Sequence, residues 1–369
     1  MPTNSTVIFG AGIIGVATAF YLSESSSHSG TIHLVEASPE LFASASGKAG
    51  GLVAEDWFGP AAAELGVLSF RLHQELATEY DGGKRWGYAR TTGTSVVVGK
   101  SEQKKGETWL EQGGSRAEVA AGEHVEHYAE GEGPAWMKKT RGGRVEVLSE
   151  DGGMAGASRS QEVRGVKLHQ PARATRVVKS DKIVIEDDTG KEESIPYTRL
   201  LITAGAWTAK VFSTLFQDAS IRIPVSHLAG YSLVVRSPRW TAKQEATGCH
   251  AVFASASETW SPELFNLYRW TQRSWPVFAA PAHRWDDFHV VREGLCFRPV
   301  TRSGNPVLAR IPDRKLNAEL EANGKSSGSV FVCAGHGPWG ISLSLGTGKV
   351  MSEMLLGEEL SCDVSRLGM

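Results

Sequence analysis

Six residues near the start of the chain, Gly10-Ala11-Gly12-Ile13-Ile14-Gly15, separate a β-branched apolar run, Ser5-Thr6-Val7-Ile8-Phe9, from a segment with helical spacing and composition at 16–22. This predicts a strand, a glycine turn and a helix. A second strand is predicted over Thr31-Ile32-His33-Leu34-Val35, ending at Glu36, which stands 21 residues beyond Gly15. In such an arrangement the first glycine permits the tight turn, the second lets backbone N–H groups approach a pyrophosphate, and the third lets helix and strand pack closely. The helix N-terminus faces the phosphates. A carboxylate at the tip of the neighbouring parallel strand accepts both ribose hydroxyls and repels a 2′-phosphate, so Glu36 disfavours NADP. A bare Gly-rich turn would be merely structural; strand, helix and acidic partner in register make this one a dinucleotide site. Its candidate contacts are Gly10, Ala11, Gly12, Ile13, Ile14, Gly15, Glu36 and Ala37.

With 369 residues, 41% of them hydrophobic, the chain is long for one ordinary core and suits two co-folded domains. Its 39 basic and 41 acidic residues leave no surplus charge to hold polyanions, which argues against nucleic acid. Cys249, Cys296, Cys333 and Cys362 are widely spaced without a C-x-x-C pair, so neither a disulfide framework nor a zinc site is expected, and no metal is assigned. The first apolar run lacks a preceding basic region and is short and glycine-broken, unlike a signal or membrane helix. The expectation is a cytoplasmic protein that does not enter a membrane.

Three further segments decide which dinucleotide. Ser44-Ala45-Ser46-Gly47-Lys48-Ala49-Gly50-Gly51-Leu52 is a run of small residues after the second strand. Nicotinamide enzymes do not need one there, whereas in a flavoprotein such a loop lies along the cofactor; the alternative is a flexible linker. Arg199-Leu200-Leu201-Ile202-Thr203-Ala204-Gly205-Ala206-Trp207 reads as another parallel strand closing on a small-residue turn. Near the C-terminus, Ser329-Val330-Phe331-Val332-Cys333-Ala334 runs into Gly335-His336-Gly337-Pro338-Trp339-Gly340-Ile341-Ser342 and then a helical stretch at 345–356. The N-terminus of that helix can stabilise negative charge on a reduced flavin.

Together and in this order, these segments resemble the D-amino acid oxidase and glycine oxidase (DAO) family of FAD-dependent oxidoreductases, and Ala45-Ser46-Gly47-Lys48-Ala49-Gly50-Gly51 looks like its fungal members. The resemblance implies an α/β (α+β) fold: a glutathione-reductase-type Rossmann FAD-binding domain with an inserted, mainly antiparallel-sheet substrate domain. The FAD domain is assigned to 1–55, 140–228 and 290–369, and the substrate domain to 56–139 and 229–289. The implied activity is oxidation of the C–N bond of an amino acid or secondary amine by hydride transfer to flavin, with O₂ as acceptor. By the same resemblance FAD contacts extend to Ser44, Ser46, Gly47, Lys48, Ala49, Gly50, Gly51, Leu52, Val177, Ala204, Gly205, Trp207, Gly335, His336, Gly337, Trp339, Gly340 and Ile341.

The resemblance also supplies catalytic candidates. Arg298, in Phe297-Arg298-Pro299, matches the family arginine that holds a substrate carboxylate in a bidentate pair; the alternative is an arginine satisfied by surface carboxylates. Cys296 falls where related sarcosine oxidases bond covalently to flavin, but the Arg-Pro pattern after it favours a buried, unbonded cysteine and non-covalent FAD. His336 can donate toward the flavin or line the pocket, or can be structural. Lys48 can place positive charge near the reduced ring or O₂, and Tyr231 can close the pocket or simply pack.

Two stretches depart from the family pattern. Between 149 and 165 the family has a helix, while Glu150-Asp151-Gly152-Gly153-Met154-Ala155-Gly156 is Gly-rich and non-periodic, so that helix is expected to be short or missing. Ser261-Pro262-Glu263-Leu264-Phe265 is family-like, but 268–289, with Trp270, Trp275 and Trp285, has no period of strand or helix. The tract 99–132 reads as solvated helix and loop. Two other functions stay open: an FAD-binding protein with little or no turnover, and an NAD-dependent dehydrogenase, which shares the first motif but leaves the other two Gly-rich turns without a purpose.

Overall fold

The computed structural model describes residues 4–98, 144–154, 165–178, 181–236, 249–256, 289–316 and 329–369. The charged tract 99–132, residues 155–164 of the Gly-rich stretch, and the stretches 261–265 and 268–288 lie outside the described residues. The chain divides into two compact units: Met1–Gly87, Ala155–Ser232 and Gly294–Met369 form the first, and Tyr88–Met154 with Leu233–Glu293 the second. In this division 56–87 fall with the first unit and 140–154 with the second, where the sequence reading placed them the other way round.

The first unit is built on a six-stranded sheet. Strands β1 (Ser5–Phe9), β2 (Thr31–Val35), β6 (Val166–His169), β10 (Arg199–Ile202), β14 (Val307–Ile311) and β15 (Ser329–Ala334) lie in the order β14-β15-β10-β1-β2-β6. Every pairing is parallel except that of edge strand β14 with β15. The register pairs Phe9 with both Ile202 and Val35, Ile202 with Val332, and Val35 with His169. The carboxyl ends of the five parallel strands are therefore level, and the turns that follow them share one edge of the sheet. Open α/β sheets bind ligands in the crevice outside that edge.

Both faces of the sheet are covered at its centre, so β1, β10 and β15 read as near-continuous apolar runs rather than alternating ones, while edge strand β6 leaves Lys167 and Leu168 exposed. Ile8, Leu34, Leu201 and Phe331 face one core, shared with helices α1 (Ile13–Glu24), α2 (Ala63–Glu79) and α6 (Ser344–Leu356) through Leu22, Leu65, Leu68, Val350 and Met351. Their sequence neighbours Val7, Phe9, Leu200, Ile202, Val330 and Val332 point the other way. There they meet Ile183, Ile185 and Ile195 from a three-stranded antiparallel sheet of β7 (Ala172–Val178), β8 (Lys182–Asp187) and β9 (Glu192–Pro196), with Phe212 and Leu215 of α4 (Thr208–Leu215). The result is helix layer, parallel sheet and antiparallel sheet. Helices α1 and α6 approach closely, since a Cβ on Gly348 would stand 2.6 Å from Ala17. Shorter elements of this unit are β3 (Leu52–Val53), α3 (Gly82–Trp86) and α5 (Asp313–Leu316).

Strands β11 (Ser226–Arg236) and β13 (His289–Val300) pair as a two-stranded ribbon, whose part in the first unit comprises 226–232 and 294–300. In the second unit, β4 (Ala89–Val98) pairs antiparallel with β5 (Arg144–Met154) and parallel with β12 (Cys249–Ala256). Residues 150–154 thus complete a strand, which accounts for the missing helical period there. Among the described residues, no helix is long and apolar enough to cross a membrane.

Candidate cofactor and substrate site

The turn after β1 is fixed by sterics that only glycine meets. Gly10 has φ of 105°, in the left-handed region, and a Cβ there would lie 2.6 Å from the Thr203 carbonyl oxygen. A Cβ on Gly15 would stand 2.0 Å from the Gly10 oxygen and 2.7 Å from Thr203 Oγ1. Thr203 ties these parts together: its hydroxyl donates to the carbonyls of Phe9 and Gly10, both at 3.0 Å. Gly12 differs, because the nearest atom to its Cβ position is Ser46 Oγ at 3.3 Å.

Glu36 holds the turn from the side. Its carboxylate accepts the Ala11 N–H at 2.9 Å through Oε2 and the Ser38 N–H at 2.8 Å through Oε1, while its own backbone pairs with His169 and Ala172. A carboxylate oxygen has two acceptor positions, so each retains capacity for a ribose hydroxyl. Ala37 next to it is exposed.

The 44–52 loop crosses the start of α1. Ser46 Oγ accepts the Ile13 N–H at 3.0 Å, and 46–48 form a single 3₁₀ turn. Gly47 is wedged, since its Cβ position is 2.3 Å from the Phe42 oxygen, whereas a Cβ on Gly50 would meet nothing within 4 Å. The loop continues into Leu52–Val53 and is locked by Ser342, whose Oγ accepts the Ala54 N–H at 2.8 Å and donates to the Ala54 carbonyl at 3.1 Å.

After β10, Ala204 leads into the 3₁₀ turn Gly205–Trp207; Gly205 has open space at its Cβ position, and Trp207 is 45% exposed, edge-on to Phe297 at 6.1 Å between ring centres. After β15, Gly335 and His336 enter the 3₁₀ turn Gly337–Trp339, followed by Gly340 and Ile341. Trp339 is buried against Phe58, and His73 Nε2–H donates to the Ile341 carbonyl at 3.1 Å. His336 is 2% exposed and shares a 3.2 Å hydrogen bond with Thr347 of α6. Of the roles open to this histidine, the structure supplies a partner for the structural one. Burial lowers the pKa of both His73 and His336 to about 4, so both are neutral near neutral pH.

The parallel edge therefore gathers Gly10 to Gly15, Glu36, the Ala204–Trp207 turn and the Gly335–Ile341 turn, with the 44–52 loop joined to it at Ile13. Val177 lies apart near the end of β7, its side chain against the core. The sequence reading gives no role to Thr203 or Ser342 within their segments and does not single out His73. The first had a readable sign, a polar β-branched residue where an apolar strand meets a small-residue turn.

On the ribbon, Arg298 is half-buried and lies against Gly230, whose Cβ position is 3.3 Å from the guanidinium carbon. Among the described residues no carboxylate pairs with Arg298. Lys48 reaches the same strand, donating from Nζ to the Leu295 carbonyl at 2.9 Å, with its stem against Gly294. Tyr231 is 62% exposed, while Cys296 is 5% exposed and free. No group of three or more His, Cys, Asp or Glu among the described residues is arranged to hold a metal.

These residues fit FAD. Helix α1 begins at Ile13, its N-cap residue Gly12 supplies no side-chain cap and its first turn carries no acid, so its positive end is uncompensated within the helix. The space at Gly50 and Gly205 is required by no internal packing, and the acceptor of Glu36 is in place. The fold and this edge define a dinucleotide-binding protein of the Rossmann class. Residues 5–354 match the family described as FAD dependent oxidoreductase (DAO), and the chain belongs to that family. It is 26% identical over 397 aligned positions to a Schizosaccharomyces pombe protein named "Putative oxidoreductase C1F5.03c", covering 96% of this chain and 94% of that one. Among solved structures it is similar to glycine oxidase from Geobacillus kaustophilus, with TM-score 0.69, 19% identity and coverage of 99% and 98% of the two chains. It is also similar to iminodiacetate oxidase from Chelativorans sp. BNC1, with TM-score 0.65, 16% identity and coverage of 98% of each chain.

Proposed function

We propose that this FAD-dependent oxidoreductase oxidises the C–N bond of an amino acid or amine carrying a carboxylate, with non-covalent FAD and O₂ as final acceptor. The carrying observation is Arg298: a half-buried guanidinium, flat against Gly230, with no carboxylate partner among the described residues. A cation held in that state is suited to an incoming anion, and the planar fork of arginine matches a carboxylate bidentately. Clamping the carboxylate fixes the direction of the α-carbon hydrogen, which is most of what the protein must contribute. Bound FAD supplies the two-electron acceptor. The substrate gives up a hydride from carbon and a proton from nitrogen and leaves as an imine.

The assigned holders are Glu36 for the ribose, the amides at the start of α1 for the pyrophosphate, and the 44–52, 204–207 and 335–341 segments for the rest of the cofactor. Cys296 is read as a free, buried thiol. The cysteines that are free among the described residues, Cys296, Cys333 and Cys362, support assignment to the reducing cytoplasm. Arg298→Ala tests the clamp. The variant is expected to lose about 1.5–3 kcal/mol of affinity for monocarboxylates, the range for a hydrogen bond to a charged group, while its FAD content is unchanged. Loss of FAD from the variant would make Arg298 a structural residue instead.

A further inference from the structure

Arg298 is not the only cation on its face of the ribbon. Ser226 Oγ contacts the Val300 carbonyl at 3.5 Å, and Ser232 Oγ lies 2.8 Å from the Cβ position of Gly294, so β11 and β13 run antiparallel with 226 beside 300 and 232 beside 294. Gly230 then stands opposite Cys296, and residues 294, 296 and 298 share one face with 230 and 232. The Arg298 guanidinium leans back diagonally over Gly230, and the Lys48 stem lies over Gly294. Lys48 is brought there from the 44–52 loop and held by its bond to the Leu295 carbonyl, which uses one of its three N–H donors. The positions under the two cations, Gly230 and Gly294, are diagonal neighbours across the ribbon, roughly 7–8 Å apart. Like Arg298, Lys48 has no carboxylate partner among the described residues.

Two cations on one face of the ribbon, neither with a carboxylate partner among the described residues, offer an incoming dianion two points of attachment. Resting on the reading of Arg298 as a carboxylate clamp, we propose that the substrate is a short dicarboxylic amine or amino acid, with one carboxylate on Arg298 and the second on Lys48. A carboxylate carbon stands about 4 Å from its partner cation, the range of a close ion pair, so two acid groups joined by two or three atoms fit between cations at this spacing. Lys48 is thereby a specificity-determining residue. It separates substrates with a second acid group from glycine-like ones that offer Arg298 a single carboxylate.

Non-oxidisable acids read this without turnover. Binding of succinate, glutarate, acetate and propionate to the FAD-loaded protein is measured by calorimetry for the wild type, Lys48→Met and Arg298→Ala. Succinate or glutarate is expected to bind wild type roughly tenfold to hundredfold more tightly than the monocarboxylates, the equivalent of one charged hydrogen bond. Lys48→Met is expected to erase that advantage, whereas Arg298→Ala weakens both classes. Dicarboxylates binding no better than acetate, or Lys48→Met weakening both classes equally, overturns the dicarboxylate assignment while leaving the clamp in place. Acetate binding that survives Arg298→Ala overturns the clamp itself, and with it the proposal. The same variants also report FAD content, so a Lys48→Met protein that loses flavin assigns the lysine to the cofactor and overturns its substrate role.

Discussion

Gly15→Val is expected to yield protein that retains no FAD and is less stable by about 1–3 kcal/mol, the range for forcing extra volume into a packed site. Even the first added carbon would stand 2.0 Å from the Gly10 oxygen and 2.7 Å from Thr203 Oγ1. Neither neighbour can retreat. The Gly10 N–H donates to the Val35 carbonyl at 2.8 Å, and Thr203 Oγ1 is bonded to the Phe9 and Gly10 carbonyls, so moving the turn breaks contacts among β1, β2 and β10 together. The displaced atoms set the start of α1, the proposed holder of the pyrophosphate, so stability and cofactor are expected to fall together. Gly50→Ala is the control. Its added carbon meets nothing within 4 Å, so stability is expected within about 0.5 kcal/mol of wild type, as for a harmless surface change, and any loss of flavin there reports the cofactor directly. Flavin absorbance per mole of protein and urea denaturation measure both effects. A Gly15→Val protein that keeps its flavin and its stability removes the steric account of the turn.

Acidification is expected to destabilise the protein steeply. His73 and His336 are almost fully buried, and burial depresses each pKa from 6.5 to about 4. Between those values the unfolded chain binds protons that the folded chain refuses. Stability contributed by the neutral histidines is complete above the unfolded value near 6.5 and is lost as pH falls toward the folded value near 4. Each histidine adds a slope of up to about 1.4 kcal/mol per pH unit within that window. Both histidines belong to the proposed cofactor edge, because His73 anchors the Ile341 carbonyl and His336 opens the 335–341 turn. Urea denaturation at about pH 7.5, 6.5, 5.5 and 4.5 resolves the slope. His73→Asn is expected to flatten part of it, and constant stability across the series contradicts neutral burial.

The elements that were legible in the sequence are those whose cause is local. β1 and β2 occupy the predicted residues because each apolar run is stopped at once, by Gly10 in one case and by Glu36 in the other. Helix α1 begins at Ile13, before the predicted helical stretch, because close packing on the strand overrides the low helix propensity of Gly15. Contacts between distant residues left no local trace. Ser69 is bonded to the Gly346 N–H, 277 positions away, which is why α2 belongs with the first unit although the sequence around it carries no mark of that partner. The ties of Thr203, Ser342 and His73 are of the same kind. Arg298 was identified by its family frame, but that it has no carboxylate partner among the described residues, and that Lys48 shares its strand, emerge only from the folded geometry.

The proposed activity is FAD-dependent oxidation of an amine that carries a carboxylate. Its most direct test is the visible spectrum of the purified protein under anaerobic titration with glycine, sarcosine, iminodiacetate and both enantiomers of alanine, aspartate and glutamate. The expected result is a yellow protein with flavin absorbance that at least one of these compounds bleaches and that air restores. A yellow protein that the whole panel leaves oxidised contradicts it in favour of flavin binding without turnover, and a colourless protein that takes up NAD but not FAD contradicts the cofactor assignment itself.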